Sequence, residues 1–299
     1  MIRPSVDVDS PQVFLQNDPA NTGLRATFLG TSTIVLSDGT TSIMTDGFFS
    51  RPSFLQLLTS ITPDDAEIAF ALRHVPRRID AIFVAHSHHD HAMDSGRVAM
   101  QTGAVVHGSK SSLNVARGQG TPEPQLQRLH VGTPVKIGSF RVTTIETPHS
   151  PGLLFFGFIT EPVKHATLSD YRMADNFSFF IEHELGNVLV VPSANFRAHA
   201  FDGMKADTVV LGIGALGKQP DGFAQAYWNE AVINTSAKLV IPVHWDDFTR
   251  SLRHPLVPMP YLLDNTAAGM ARIRALGQRD GIDIRLLPPL RETHLPARR

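Results

Sequence analysis

The sequence predicts an α/β chain folded as a four-layer αββα sandwich, two mixed β-sheets face to face with helices on both outer faces. Three observations carry this. Short apolar runs of strand length recur in two successive halves, and helix-length apolar-periodic segments fall between and after them. No low-complexity stretch separates the halves, and 299 residues are enough to bury a large common core.

Taken in order, residues 1–23 are polar and Pro-containing and read as a loose start. Strand-like runs follow at 26–29, 33–36 and 42–45, punctuated by Gly30 and by Asp38-Gly39, a hairpin signal. The third run ends at Asp46-Gly47. The insertion 48–76 carries Phe54, Leu55, Leu57, Leu58, Ile68, Phe70, Ala71 and Leu72 in helical pieces split by Pro63. Most of these are expected in the core, with some left to wall an apolar substrate channel. Residues 80–85 form a buried strand, followed by a helix over 92–101, a strand at 104–106 and a short helix after Gly108. Gly118 to Pro122 then break the pattern. Strands are expected at 134–137, 140–146, 153–159 and 177–181, with Phe155, Phe156 and Phe158 as sheet core. The second half offers strands at 188–191, near 208–213 and near 238–243, helices near 222–235 and 265–278, and a last strand at 282–286. One domain thus spans 24–290, and residues 291–299 are expected to fray.

Composition excludes several classes. Hydrophobic residues are 42% and charged residues 18%, as in ordinary globular proteins rather than disordered ones. The net charge of −1 and the lack of a basic block give nucleic acid or an anionic membrane surface no long-range attraction. With no cysteine there are no disulfides, Cys-rich zinc knuckles or thiol nucleophiles, so a metal site must use His and carboxylates. No apolar stretch approaches the ~18 residues of a membrane span. The first twenty residues lack a leader pattern, so the expected setting is cytoplasmic, with a small-molecule substrate and a quaternary state open to homo-oligomers.

The chemistry centres on the hexapeptide His86-Ser87-His88-His89-Asp90-His91, placed directly after the buried run. His86 and His88, at i and i+2, project to one side of an extended segment and can share one ion. Asp90 and His91 follow where the chain turns and can aim at a second ion. A solvated His-rich loop is the bland alternative; the buried strand before the motif and the apolar-periodic helix after it weigh against that. Two more histidines end strand-like runs abruptly: His149 after 142–147, and His244 after 239–243. Alone, each reads as a capping or hydrogen-bonded loop histidine. Beside the hexapeptide, both read as ligands.

Together these residues resemble the metallo-β-lactamase superfamily of αββα metallohydrolases over residues 24–287. Asp46 matches the family's first acidic motif, a group set behind the ligands, although a turn residue before Gly47 is an equal reading. His86, His88, Asp90 and His91 match the signature, and His149 and His244 match the later ligand histidines. Residues 30–33, 45–49 and 241–245 resemble the branch containing ascorbate-phosphate lactonase. The resemblance implies one or two Zn²⁺ ions, with Mn²⁺ or Fe²⁺ compatible with the same donors. It also implies a metal-bound hydroxide acting on an ester, lactone or phosphodiester, with Asp90 managing its proton. One departure stands out. The bridging aspartate expected between the third and fourth ligand motifs is replaced by Ser193, leaving Asn195, His199 or Asp202 to reach in. A full first site (His86, His88, His149) and a weakened second one (Asp90, His91, His244) are therefore expected. A mononuclear iron oxygenase of the same fold, or a non-catalytic metal-binding protein, are the alternatives.

Other features have plainer readings. Trp245 and Asp246 are candidates to line the pocket beside His244. His165, His183, His199 and His254 read as surface or capping groups. The run Gly212 to Gly217 lacks the Lys-Ser/Thr of a phosphate loop and reads as a tight strand exit.

Overall fold

Three short strands that the hairpin signals separate, Arg25–Phe28, Ile34–Ser37 and Ser42–Thr45, pair antiparallel in sequence. The sheet then grows by parallel crossovers through Ala81–Phe83, Val105–Gly108 and Leu126–Arg128. These crossovers carry the helices Asp65–Leu72, Ser95–Thr102 and Lys110–Gly118 across its outer face. Glu292–His294 closes the other edge beside Arg25–Phe28, giving seven strands. The computed structural model describes residues 2–6, 10–18, 21–152, 155–164 and 166–298. His165 and the first two residues of the expected 153–159 strand lie outside them.

The second seven-stranded sheet runs Asp283–Ile284, Leu239–Val243, Thr208–Gly212, Val188–Val191, Phe177–Glu182, Phe140–Glu146 and Pro134–Ile137. Its first four strands are parallel and the rest antiparallel, so both sheets are mixed as predicted. The helices Asp221–Trp228 and Thr266–Asp280 cover its outer face, with buried Tyr227, Trp228, Met270 and Ile273 turned into the core. Between the sheets lie Phe28, Leu36, Phe83, Phe140, Phe179 and Val190, with the Phe83 and Phe179 rings 5.7 Å apart. Each such side chain contributes about 1.5–3 kcal/mol when fully buried. A second cluster, including Met44, Ile82, Val98 and Leu113, fills the space under the helices of the first sheet. No helix among the described residues is long and apolar enough to cross a membrane.

Two expectations are corrected, and described residues of both terminal segments contact the domain. Leu15 N–H donates to Leu286 O, Arg3 pairs with Asp247 at 2.6 Å, and Leu295 N–H donates to Leu24 O beyond the edge strand. Both segments supply backbone groups to sheet edges that would otherwise stay unpaired. No strand forms over 155–159: Phe155, Phe156 and Phe158 are 37%, 73% and 64% exposed, and a single bridge joins Phe156 to Met173. Gly152 and Gly157, both with positive φ, bend this segment out of any ladder, so its aromatics face solvent. Finally, the strand before the His motif stops at Phe83, and a four-residue helix, His89–Ala92, starts inside the motif.

Candidate metal centre

Loops at one end of the two sheets meet over this helix, and several of them hold left-handed residues other than glycine. Thr31 (φ 51°), Asp46 (φ 56°), Arg51 (φ 47°) and His244 (φ 58°) each carry strain of order 1–3 kcal/mol, which the surroundings must offset. They brace one another. His244 N–H donates to Thr31 O at 2.6 Å, and Thr31 N–H donates to Asp246 Oδ1 at 2.8 Å. Arg51 Nη2 donates to Asp246 Oδ2 at 2.7 Å, with both side chains fully buried. A buried ion pair therefore fixes the turn that presents His244.

Two candidate ligand groups result. His86, His88 and His149 form one, and Asp90, His91 and His244 the other; within each, the potential ligand atoms lie within 4.8 Å of one another. The His86, His88 and His149 rings stand nearly perpendicular to one another, with centroids 4.8–4.9 Å apart. The groups adjoin through His86 and His91, whose centroids are 3.9 Å apart. Asp90 Oδ2 lies 3.3 Å from His244 Nε2 and 3.7 Å from His91 Nε2. The six residues come from three separate segments, the loop and short helix of residues 86–91 and two turns that follow strands of the second sheet.

Asp46 sits behind this array. Its Oδ1 accepts from Ala85 N–H at 2.8 Å, and its Oδ2 accepts from the Ser32 hydroxyl at 2.6 Å and His91 Nδ1 at 2.9 Å. A carboxylate only accepts, so His91 carries a proton on Nδ1, which leaves Nε2, on the side of Asp90, as the nitrogen that would ligate a cation once unprotonated. His149 is set the same way, its Nδ1 donating to Ser150 O at 2.9 Å. Asn195 supports this turn by donating from Nδ2 to His149 O at 2.7 Å.

The electrostatics suit a cation. Burial pushes the His86 pKa well below its ordinary value and lowers those of His88 to about 3 and His149 to about 4, so all three are neutral near pH 7. Neutral imidazole is the ligating form. Burial raises the Asp90 carboxyl, but His91, the hydrogen bond from His244 and nearby His89 outweigh it and hold Asp90 well below the carboxylate range. Burial also opposes charge on His91, yet Asp46 and Asp90 leave its pKa raised. Both nitrogens of His86 and Nε2 of His88 are buried without a hydrogen-bond partner. Such orphaned ring nitrogens are costly to bury, and a divalent cation fits the unprotonated nitrogen of each ring.

Other expected residues fall elsewhere. Ser193 reaches the pocket wall but donates to Asn176 Oδ1 at 3.0 Å. His199 and Asp202 pair with each other at 3.0 Å on the exposed surface. Neither His199 nor Asp202 belongs to the two candidate ligand groups. Trp245 packs into the core against Phe28, because the chain turns at the left-handed His244 just after the strand ends at Val243. Asp246 is the buried partner of Arg51 rather than a pocket residue. His183 is buried, against the surface reading, and accepts from Leu185 N–H as a turn cap. His254 is exposed.

Some contributors were not singled out in advance. Ser32 joins the Asp46–His91 contact. His89, between the ligand pairs, is buried among Phe48, Tyr171 and Phe248. Gly214, in the strand exit, leaves room for a ligand: a Cβ there would stand 2.9 Å from His244 Nδ1. Its glycine-rich surroundings were the available signal.

The chain was compared with known proteins. A model of the beta-lactamase superfamily domain matches residues 42–245. A metal-dependent hydrolase of Chloroflexus aurantiacus is 28% identical over 178 residues, 58% of this chain and 67% of that protein. The fold is shared with a metallo-beta-lactamase fold protein of Bacillus subtilis, at TM-score 0.54 and 14% identity over 90% of this chain and 97% of that one. A metallo hydrolase of Ignicoccus hospitalis gives 0.55 and 14% over 92% and 99%. A diiron beta-hydroxylase of Streptomyces venezuelae gives 0.55 and 15% over 93% of this chain and 55% of that one. With most of its length matched by the family model, the chain belongs to the beta-lactamase superfamily.

Proposed function

We propose that this protein is a metal-dependent hydrolase acting on an ester, lactone or phosphodiester of a small molecule, with His86, His88 and His149 holding one cation and Asp90, His91 and His244 able to hold a second. The supporting observation is the convergence of six donors from distant segments, with acceptor nitrogens left unsatisfied. A bound divalent cation brings the pKa of a coordinated water toward about 7 and polarises a substrate oxygen.

The chain's own groups do the rest. Asp90, held ionised and facing His244 and His91, orients the water and takes its proton. Asp46 fixes the His91 tautomer through Nδ1. Ser193 offers a neutral hydroxyl where the family places a carboxylate, so less negative charge offsets a second ion and the second group binds more weakly. The donor set of imidazole and carboxylate suits zinc and also admits manganese or iron. The named homologue's activity and the sequence likeness to the lactonase branch both favour hydrolysis.

The test is elemental analysis of protein expressed without added metal, followed by ester, lactone and phosphodiester hydrolysis with and without chelator. Chelator-sensitive turnover supports the proposal; stoichiometric metal with no turnover of any class defeats it. An iron-dependent oxygenase is the second reading, favoured by the fold shared with a diiron hydroxylase and by the three-His first group. Iron content together with oxygen uptake would select it instead.

A further inference from the structure

From the two ligand groups a cavity of about 470 Å³ opens outward. That volume is in the range of sites for small organic ligands. Its wall is largely apolar: Phe54 and Leu57 from the insertion, Phe155, Leu168, Phe248 and Met259. Among the described residues, no lysine or arginine lines it. Arg197 lines an adjoining hollow, which shares His149, Ser150, Pro151 and Gly152 with this one, and pairs with Glu146 at 3.6 Å.

The wall's polar side chains are mostly committed already. Ser150 Oγ accepts from Ala194 N–H, Ser193 donates to Asn176, and Thr249 donates to Asp247. Asp264 accepts from Ala215 N–H and Asn265 N–H and adds negative charge to the wall. A phosphate entering here would find no basic side chain among the described lining residues and would face Asp264 and Asp90. An uncharged group with an apolar arm would find matching surface.

We infer that the substrate is an uncharged carboxylic ester or lactone whose apolar acyl arm lies against Phe54, Leu57, Leu58, Phe155 and Phe248, and that phosphodiesters are excluded. This rests on the hydrolase reading and narrows it. Hydrolysis consumes one water. Its oxygen bonds to the acyl carbon and the acyl–oxygen bond breaks. One water proton passes by way of Asp90 to the leaving oxygen, and the acid departs as a carboxylate, releasing the other proton to solvent.

Two measurements test it separately. Chelator-stripped protein is titrated calorimetrically with octanamide, propanamide and octyl phosphate. Octanamide is expected to bind about tenfold or more tighter than propanamide, since each buried methylene is worth about fourfold. Octyl phosphate is expected to bind more weakly than octanamide. Leu58→Asp and Phe155→Ser, both at solvent-exposed positions that leave the core intact, are expected to weaken octanamide severalfold. Metal-loaded protein is then assayed on para-nitrophenyl butanoate, para-nitrophenyl octanoate and bis(para-nitrophenyl) phosphate. The octanoate should have the highest kcat/KM, by about tenfold or more, and the phosphodiester the lowest. Equal binding of octanamide and propanamide, or preference for the phosphodiester, overturns the inference. Octanamide binding without hydrolysis of any substrate overturns the hydrolase reading and supports the apolar pocket alone.

Discussion

Replacing Asp46 by Asn tests whether the second ligand group is set from behind. The wild-type carboxylate accepts three hydrogen bonds, from Ala85 N–H, the Ser32 hydroxyl and His91 Nδ1. Asn offers one oxygen and one NH₂. With its oxygen kept on Ala85, its NH₂ faces Ser32 and His91. His91 must then accept at Nδ1 and carry its proton on Nε2, the atom facing Asp90 at 3.7 Å. A protonated Nε2 cannot ligate. Loss of such a supporting hydrogen bond typically weakens metal affinity by roughly 10- to 100-fold, equivalent to about 1.4–2.8 kcal/mol. Equilibrium dialysis against a competing chelator, read by elemental mass spectrometry, should show that loss in one equivalent of metal, while the equivalent held by His86, His88 and His149 changes little. Unchanged affinity for every equivalent, in a variant that circular dichroism shows folded, would refute the assigned role of Asp46.

Gly214→Ala should push the His244 ring aside, because the new Cβ meets Nδ1 at 2.9 Å and Cγ at 3.2 Å; turnover falls while the thermal midpoint moves little, and an unaltered kcat would contradict it. Arg51→Ala leaves the buried Asp246 side chain without its cationic partner, so denaturant titration should report a loss of about 3–5 kcal/mol, against a change below about 1 kcal/mol if the pair is inconsequential. His107 stacks on Phe83 away from the centre, and burial lowers its pKa to about 4. The unfolded chain therefore binds this proton first, below about pH 6.5, and stability falls as pH drops from there toward 4, by up to about 3 kcal/mol. His107→Leu should flatten that part of the stability–pH curve; an identical slope in both proteins would contradict it.

Local patterns revealed the parts of the centre that local chemistry determines. The hexapeptide stood out because its six positions are contiguous, and His149 and His244 because apolar runs stop at them. The two-sheet plan was legible because strand-length runs precede and separate helix-length ones in each half. What stayed hidden depends on approach between distant segments. Phe155, Phe156 and Phe158 have strand composition, but Gly152 and Gly157 turn them outward. Trp245 follows His244, yet the left-handed turn at His244 lets it pack into the core. The Arg51–Asp246 pair joins residues 195 apart in sequence, and nothing local to either announces it. Gly214 matters only because His244 arrives beside it.

The most direct measurement is anomalous diffraction, at the absorption edge of the metal found by elemental analysis, from crystals of protein loaded with that metal. A strong peak is predicted about 2.0–2.3 Å from nitrogens of His86, His88 and His149, with a second peak of equal or lower occupancy beside Asp90, His91 and His244. No peak within bonding distance of these residues, or a metal bound only elsewhere on the protein, would contradict the account.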